Sequence, residues 1–161
     1  MIKDVLLKLM EDKNLTEEEM QGSIEEILSG KALPTQIAAF LVLLHKKGET
    51  AEELASAVKV MLKFSKRVDI KKEVILDTCG TGGDRSHTFN ISTAVSFVAA
   101  GMGITVAKHG NRAVSSSCGS ADLMEALGID INMNEEKIKE ALNKIGIAFL
   151  FAPNFHPAMK Y

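Results

Sequence analysis

A chain of 161 residues, 46% hydrophobic and 25% charged, can bury a core and has room for one domain or one and a half. A formal net charge of −2 gives no bulk attraction to nucleic acid or to a membrane surface, so any anion site has to be local. Cys79 and Cys118 lack CxxC spacing, which argues against a zinc site or a secreted disulfide framework and for a reducing cytoplasm. The opening "MIKDVLLKLMEDKN" mixes charges through its apolar positions, unlike a signal peptide, and the longest apolar run, "IAAFLVLL", is too short to span a bilayer.

In chain order, residues 1–70 read as a small all-helical domain. "LTEEEMQGSIEEILSG" opens with Thr16 and Glu19 at capping-box spacing and closes at Gly30. The next helix starts after Pro34 and Thr35 and stops at Gly48, with Lys46 and Lys47 at its favourable carboxyl end. Its centre, Ile37 to Leu44, is apolar on every side and predicts cover all round, from later chain or from a second subunit. Thr50 with Glu53 forms a second capping box, after which Leu54, Val58, Met61, Leu62 and Ser65 trace one helical face.

Residues 71–161 change pattern. "VILDT" reads as a buried strand, "STAVSFVAAGMG" as a helix capped by Ser92 and ended by Gly101 or Gly103, and "ITVAKHG" as a second strand. "SADLMEALGI" is a short helix, "NEEKIKEALNKIG" another with Asn134 as cap, and "IAFLFAP" a third strand. This alternation predicts an α/β fold: the first strands of a parallel sheet with right-handed crossovers, incomplete at the carboxyl end.

Ligands of open parallel sheets sit beyond the carboxyl ends of the strands, where both unusual loops fall. In "DTCGTGGDRSHTFNIST", Gly80, Gly82 and Gly83 expose main-chain N–H groups to a close-approaching phosphate. Asn90, Ser92 and Thr93 stand at the positive end of the next helix. The spacing is neither Walker A nor GxGxxG, and a tight strand-to-helix turn is the plainer reading. Asp84 opposes a simple anion cup and fits better beside a divalent cation. In "KHGNRAVSSSCGS", Lys108 offers a point charge and Arg112 a fork, with His109, Asn111 and the hydroxyls of Ser115, Ser116 and Ser117 beside them. Each has a bland alternative: solvated charge, loop filler, helix cap or structural histidine.

"GTGGD", "NIST" and "KHGNRAVSS", in this order after a helical region, resemble anthranilate phosphoribosyltransferases, as does "FAPNFHPAMKY". The family belongs to the phosphoribosyltransferases folded like nucleoside phosphorylases. The resemblance implies transfer of the 5-phosphoribosyl group from phosphoribosyl diphosphate to the amine of anthranilate, releasing diphosphate, with Mg2+, in tryptophan biosynthesis. It implies that Gly80, Gly83 and Asp84 form the diphosphate-side loop, continued by Thr88, Asn90, Ile91, Ser92 and Thr93, with Ser92 as a magnesium contact. The loop Lys108, His109, Gly110, Asn111, Arg112, Ala113, Val114, Ser115 and Ser116, with Ser120, would close on the donor from the other side. Gly80 and Asn111 would also meet anthranilate, and His156 would line the acceptor pocket. No catalytic general base is nominated.

A cytoplasmic homodimer through the helical domain is expected, without nucleic-acid or membrane partners. The family's adjacent Asp and Glu for magnesium, and its arginine for the anthranilate carboxylate, lie beyond Tyr161. The chain therefore reads as an amino-terminal portion, inactive alone. Two alternatives stand beside this: a non-catalytic phosphate-binding or assembly module, and a pyrimidine nucleoside phosphorylase, whose KHSTGG-type loop is not seen here.

Overall fold

The structure, a computed structural model, describes residues 1–80, 89–113 and 118–160. The chain divides into two compact units, one of Met1–Ser65 with His156–Tyr161, the other of Lys66–Phe155.

In the first unit, α1 (Ile2–Met10) packs on α3 (Pro34–Lys47), and α2 (Glu17–Leu28) packs on α4 (Ala51–Phe64). Ile2, Val5, Leu9, Met20, Phe40 and Leu44 meet in one apolar core. Both expected capping boxes form. The Thr16 hydroxyl accepts the Glu19 N–H at 3.2 Å while the Glu19 carboxylate accepts the Thr16 N–H at 2.8 Å, and Thr50 and Glu53 repeat this reciprocity. Pro34 is the first residue inside α3, not outside it, since a proline ring already sets helical φ and its missing N–H is not needed there.

Burial within the chain follows apolar spacing only in part on two helices. Phe40 and Leu44 of α3 are buried and Leu41 and Val42 are 56% and 67% exposed, so the described residues of this chain cover part of the helix and leave a side open to the expected second subunit. In α4, of the face traced by Leu54, Val58, Met61, Leu62 and Ser65, the residues Leu54, Val58 and Leu62 are about half exposed, while Glu53, Ser56 and Val60 turn inward. Burial of Glu53 decides that rotation: its carboxylate accepts the N–H of Leu15 at 2.7 Å, the N–H of Thr50 at 2.8 Å and the Lys47 ammonium at 2.8 Å.

The second unit holds α5 (Ile91–Gly101), β1 (Val106–Gly110), α6 (Ser120–Ala126), α7 (Glu135–Lys144), β2 (Ile147–Phe151) and α8 (Ala152–Phe155). A 3₁₀ turn, Pro157–Lys160, follows in the first unit. β1 and β2 pair in parallel from Val106↔Ile147 to Gly110↔Phe151. Successive β2 residues point to opposite faces. Phe149 packs with Ala121, Met124 and Ile131, whereas Ala148 packs with Ile138, Leu142 and Phe155. A strand covered on both faces needs the near-continuous apolar run "IAFLF".

The expected first strand contracts to one parallel bridge. Leu76 pairs with Val106, its N–H donating to Thr105 O and its carbonyl accepting from the Ala107 N–H, both at 2.9 Å. Val74 and Ile75 are exposed rather than buried, because among the described residues no layer covers them. α5 begins at Asn90, not Ser92, as its N-cap. It is inverted relative to an ordinary surface helix: Thr93, Ser96 and Ala99 face inward, while Ile91, Val95 and Val98 face out.

Candidate functional site

The carboxyl end of β1, the segment after Leu76 and the amino end of α5 converge around one ammonium group. Alternation along β1 turns Val106, Lys108 and Gly110 inward, which takes Lys108 to 1% exposure. Its Nζ lies 3.3 Å from Thr78 Oγ1, 3.5 Å from the Thr78 carbonyl and 3.3 Å from Ser92 Oγ. Among the described residues no carboxylate comes within ion-pair distance of it, and its hydrogen bonds go to neutral oxygens. Burial pushes the lysine below its usual range, with the charges of Asp77 and Cys79 opposing.

Asp77 and Thr78 hold this arrangement, and sequence reasoning assigned neither a role. One Asp77 oxygen accepts the N–H of Cys79 at 2.9 Å and of His109 at 3.1 Å, tying the segment after Leu76 to β1. Thr78 Oγ1 donates to the Ser92 carbonyl at 2.9 Å, tying it to α5. The Cys79 thiol is pushed up by burial and by Asp77, so it is a poor nucleophile. Thr93 Oγ1 is fully buried with no hydrogen-bond partner among the described residues.

Asn90 caps α5 without side-chain capping. Its amide instead donates to the carbonyls of Cys118 at 3.1 Å and Gly119 at 3.3 Å, so the ends of the two sequence loops are joined here. Gly110 and Gly119 are required by close approach. A Cβ on Gly110 would strike Ser120 Oγ and stand 2.7 Å from the Phe149 ring, and one on Gly119 would strike the main chain of Arg112 and Ala113. His109 meets the Phe155 ring edge-on, with centroids 6.1 Å apart.

The structure therefore brings together Asn90, Ser92, Thr93 and Lys108, with Asn111, Ala113 and Ser120 around Gly119. Ile91 and Gly80 are exposed at the rim. Arg112 does not present its fork to this centre. Nη1 and Nη2 donate to the two Glu125 oxygens at 2.6 and 2.9 Å, and Nη1 also reaches Asp122 at 3.1 Å. His156 lies in the first unit, in a small cleft with Leu28, Met61 and Phe64. Gly82, Gly83, Asp84, Thr88, Val114, Ser115, Ser116 and Ser117 lie outside the described residues.

The described residues include Ser92, the expected magnesium contact. They contain no group of three His, Cys, Asp or Glu side chains able to hold a metal, and the Ser92 hydroxyl already faces the Lys108 ammonium.

The chain thus consists of a helical unit and a parallel α/β unit with a buried lysine at its strand end. Residues 3–65 match the glycosyl transferase family, helical bundle domain, and residues 72–161 its a/b domain; the chain belongs to this family. It is 54% identical over 161 residues to the anthranilate phosphoribosyltransferase of Syntrophobacter fumaroxidans, covering 100% of this chain and 48% of that one. The anthranilate phosphoribosyltransferase of Thermus thermophilus superposes with a TM-score of 0.88 at 41% identity, covering 98% of this chain and 48% of that one. The Saccharomyces cerevisiae enzyme in complex with PRPP and Mg gives 0.85 at 31% identity, with coverages of 99% and 48%. The chain thus spans about half the length of the curated relatives it matches.

Proposed function

We propose that this chain provides the phosphoribosyl-diphosphate side of an anthranilate phosphoribosyltransferase. The reaction is transfer of the 5-phosphoribosyl group to the anthranilate amine, with release of diphosphate, in tryptophan biosynthesis. The observation that supports it best is the buried Lys108 ammonium, which among the described residues faces only neutral oxygens at the amino end of α5. A buried cation without a counter-ion is costly, and a ligand phosphate removes that cost. The α5 dipole favours the same charge. The orphaned Thr93 hydroxyl offers an additional donor.

The chemistry asks little more of these residues. Departure of diphosphate leaves positive charge on the ribose, so holding the donor and stabilising the leaving group matter most. Lys108 neutralises phosphate charge from behind, Ser92 and Thr93 orient oxygens, and Asn90 fixes the opposite loop end. The aromatic amine of the acceptor is nucleophilic while neutral, so no residue of this chain is assigned as a general base. Gly80, Asn111 and His156 are proposed to serve the acceptor. Magnesium, which keeps few protein ligands beside phosphates, supplies charge neutralisation when bound with the donor. Residues 1–70 are proposed to form the dimerisation domain of a cytoplasmic homodimer, with 71–161 as the donor-binding domain.

Calorimetric titration with phosphoribosyl diphosphate, with and without magnesium, tests the reading. Binding that strengthens with magnesium and is lost in Lys108→Ala is the expected result. A folded chain with no affinity for the donor would overturn it.

A further inference from the structure

We propose that Asp122 is a positioning residue that closes the neck of the donor-binding loop, and that Arg112 belongs to this neck and does not bind the donor's phosphates; the role rests on the donor-site reading above. Two strands of main chain meet at the neck, Asn111–Ala113 leaving β1 and Cys118–Ser120 entering α6. Gly119 lies so close to Arg112 and Ala113 that no side chain fits between them. One Asp122 oxygen accepts the N–H of Ala113 at 3.0 Å and of Gly119 at 2.8 Å, bridging the two strands. From the other side the Asn111 carbonyl accepts the Ala121 N–H at 3.1 Å and the Ser120 hydroxyl at 3.3 Å. Asn90 then fastens the closed neck to the amino end of α5 through Cys118 and Gly119.

Arg112 reinforces the closure. Its guanidinium is bidentate to Glu125, bonded to Asp122 and 5.8 Å over the Phe151 ring. A phosphate approaching it would have to displace two carboxylates or lie beside them, and like charge repels it in either case. Lys108 hydrogen-bonds neutral oxygens, and among the described residues no carboxylate pairs with it directly, Asp77 acting only at longer range. The two cations of "KHGNR" therefore divide the work: Lys108 meets the anion, and Arg112 holds the neck through Asp122 and Glu125. The carboxylate of Asp122 is held below the usual range, first by the N–H groups of Ala113 and Gly119 and then by Arg112, consistent with a permanently ionised tie.

The test combines donor titration in magnesium at several salt concentrations with amide exchange by nuclear magnetic resonance. Asp122→Ala should raise exchange at Ala113 and Gly119 about tenfold or more, leave the Val106 and Ala107 amides protected, and weaken donor affinity at least about fivefold. Asp122→Asn keeps an acceptor oxygen for the same N–H groups and should recover most of both. Lys108→Gln should flatten the salt dependence of binding, whereas Arg112→Gln should keep the wild-type slope, because only a cation that meets the phosphates is screened with them. Unchanged exchange in Asp122→Ala, raised exchange with unchanged affinity, or a slope flattened by Arg112→Gln would each overturn the assignment. If Asp122→Ala does not fold, the Arg112→Gln slope still decides. A wild-type chain with no donor affinity would remove the donor reading and this role together, a result distinct from a binding-competent wild type with an indifferent Asp122→Ala.

Discussion

Lys108 sits where stability and binding pull in opposite directions. Its ammonium is buried among hydroxyl and carbonyl oxygens, an arrangement that a folded protein alone would improve by discarding the charge. Lys108→Met should therefore hold or raise thermal stability, by about 1 kcal/mol, while donor affinity falls about tenfold or more. Thermal melts and calorimetry on one sample check both halves. The pH dependence has a matching sign. Because burial lowers the folded-state pKa, the unfolded chain binds the extra proton between that value and the ordinary lysine range. Across that window stability rises with pH while affinity for an anionic donor falls. Parallel movement of the two would show that Lys108 does not carry the binding charge. The residue types of this centre were legible in "KHGNR" and "NIST", but burial of Lys108 depends on its inward register in β1, which only pairing with β2 and Leu76 fixes.

At the scale of elements, the helical unit turns on Glu53. That carboxylate completes the cap of α4, holds the chain before α2 through Leu15 and pairs with the ammonium of Lys47, whose side chain is itself 3% exposed. Burial acts to raise its pKa, but the Leu15 N–H, Lys47 and the Thr50 N–H outweigh it and hold the group low. Its contribution is therefore fully present above the ordinary glutamate pKa and is lost as pH falls through the depressed folded value. Glu53→Ala strands the Lys47 charge and two N–H groups, and should cost about 3 kcal/mol in denaturant unfolding. A loss within about 0.5 kcal/mol would mean that water replaces the carboxylate at no cost. The capping box was visible in sequence as Thr50 and Glu53. Its burial was not, because apolar spacing pointed to Leu54, Val58 and Leu62 as the inner face. A fully satisfied carboxylate can turn a helix against its hydrophobic stripe, and periodicity counts only the stripe.

At the scale of the whole molecule, each unit leaves apolar side chains exposed among the described residues. In the first unit these include Leu41 and Val42 of α3 and Leu54, Val58 and Leu62 of α4; in the second, Ile91, Val95 and Val98 of α5, with Met102 just beyond it. Faces of this kind drive association. Val58→Glu with Leu62→Lys should convert dimers to monomers in sedimentation experiments if the helical unit is the dimer contact, with melting temperature little changed. Val98→Lys with Met102→Lys should reduce dye binding to exposed apolar surface and leave the oligomeric state alone. Dimers that persist in the first variant would place the contact elsewhere.

Local spacing was enough to establish the order of the main elements and the capping boxes, because each is written within a few neighbouring residues, while the family showed through the resemblance of whole motifs. Long-range packing settled which faces lie inside. It turned α4 by a buried carboxylate, inverted α5 so that Thr93 and Ser96 are buried, and reduced the first strand to Leu76. It also assigned the two cations of one motif to different partners, Lys108 to the strand end and Arg112 to Glu125 and Asp122. Burial and charge pairing depend on groups distant in the chain, and no local pattern encodes them.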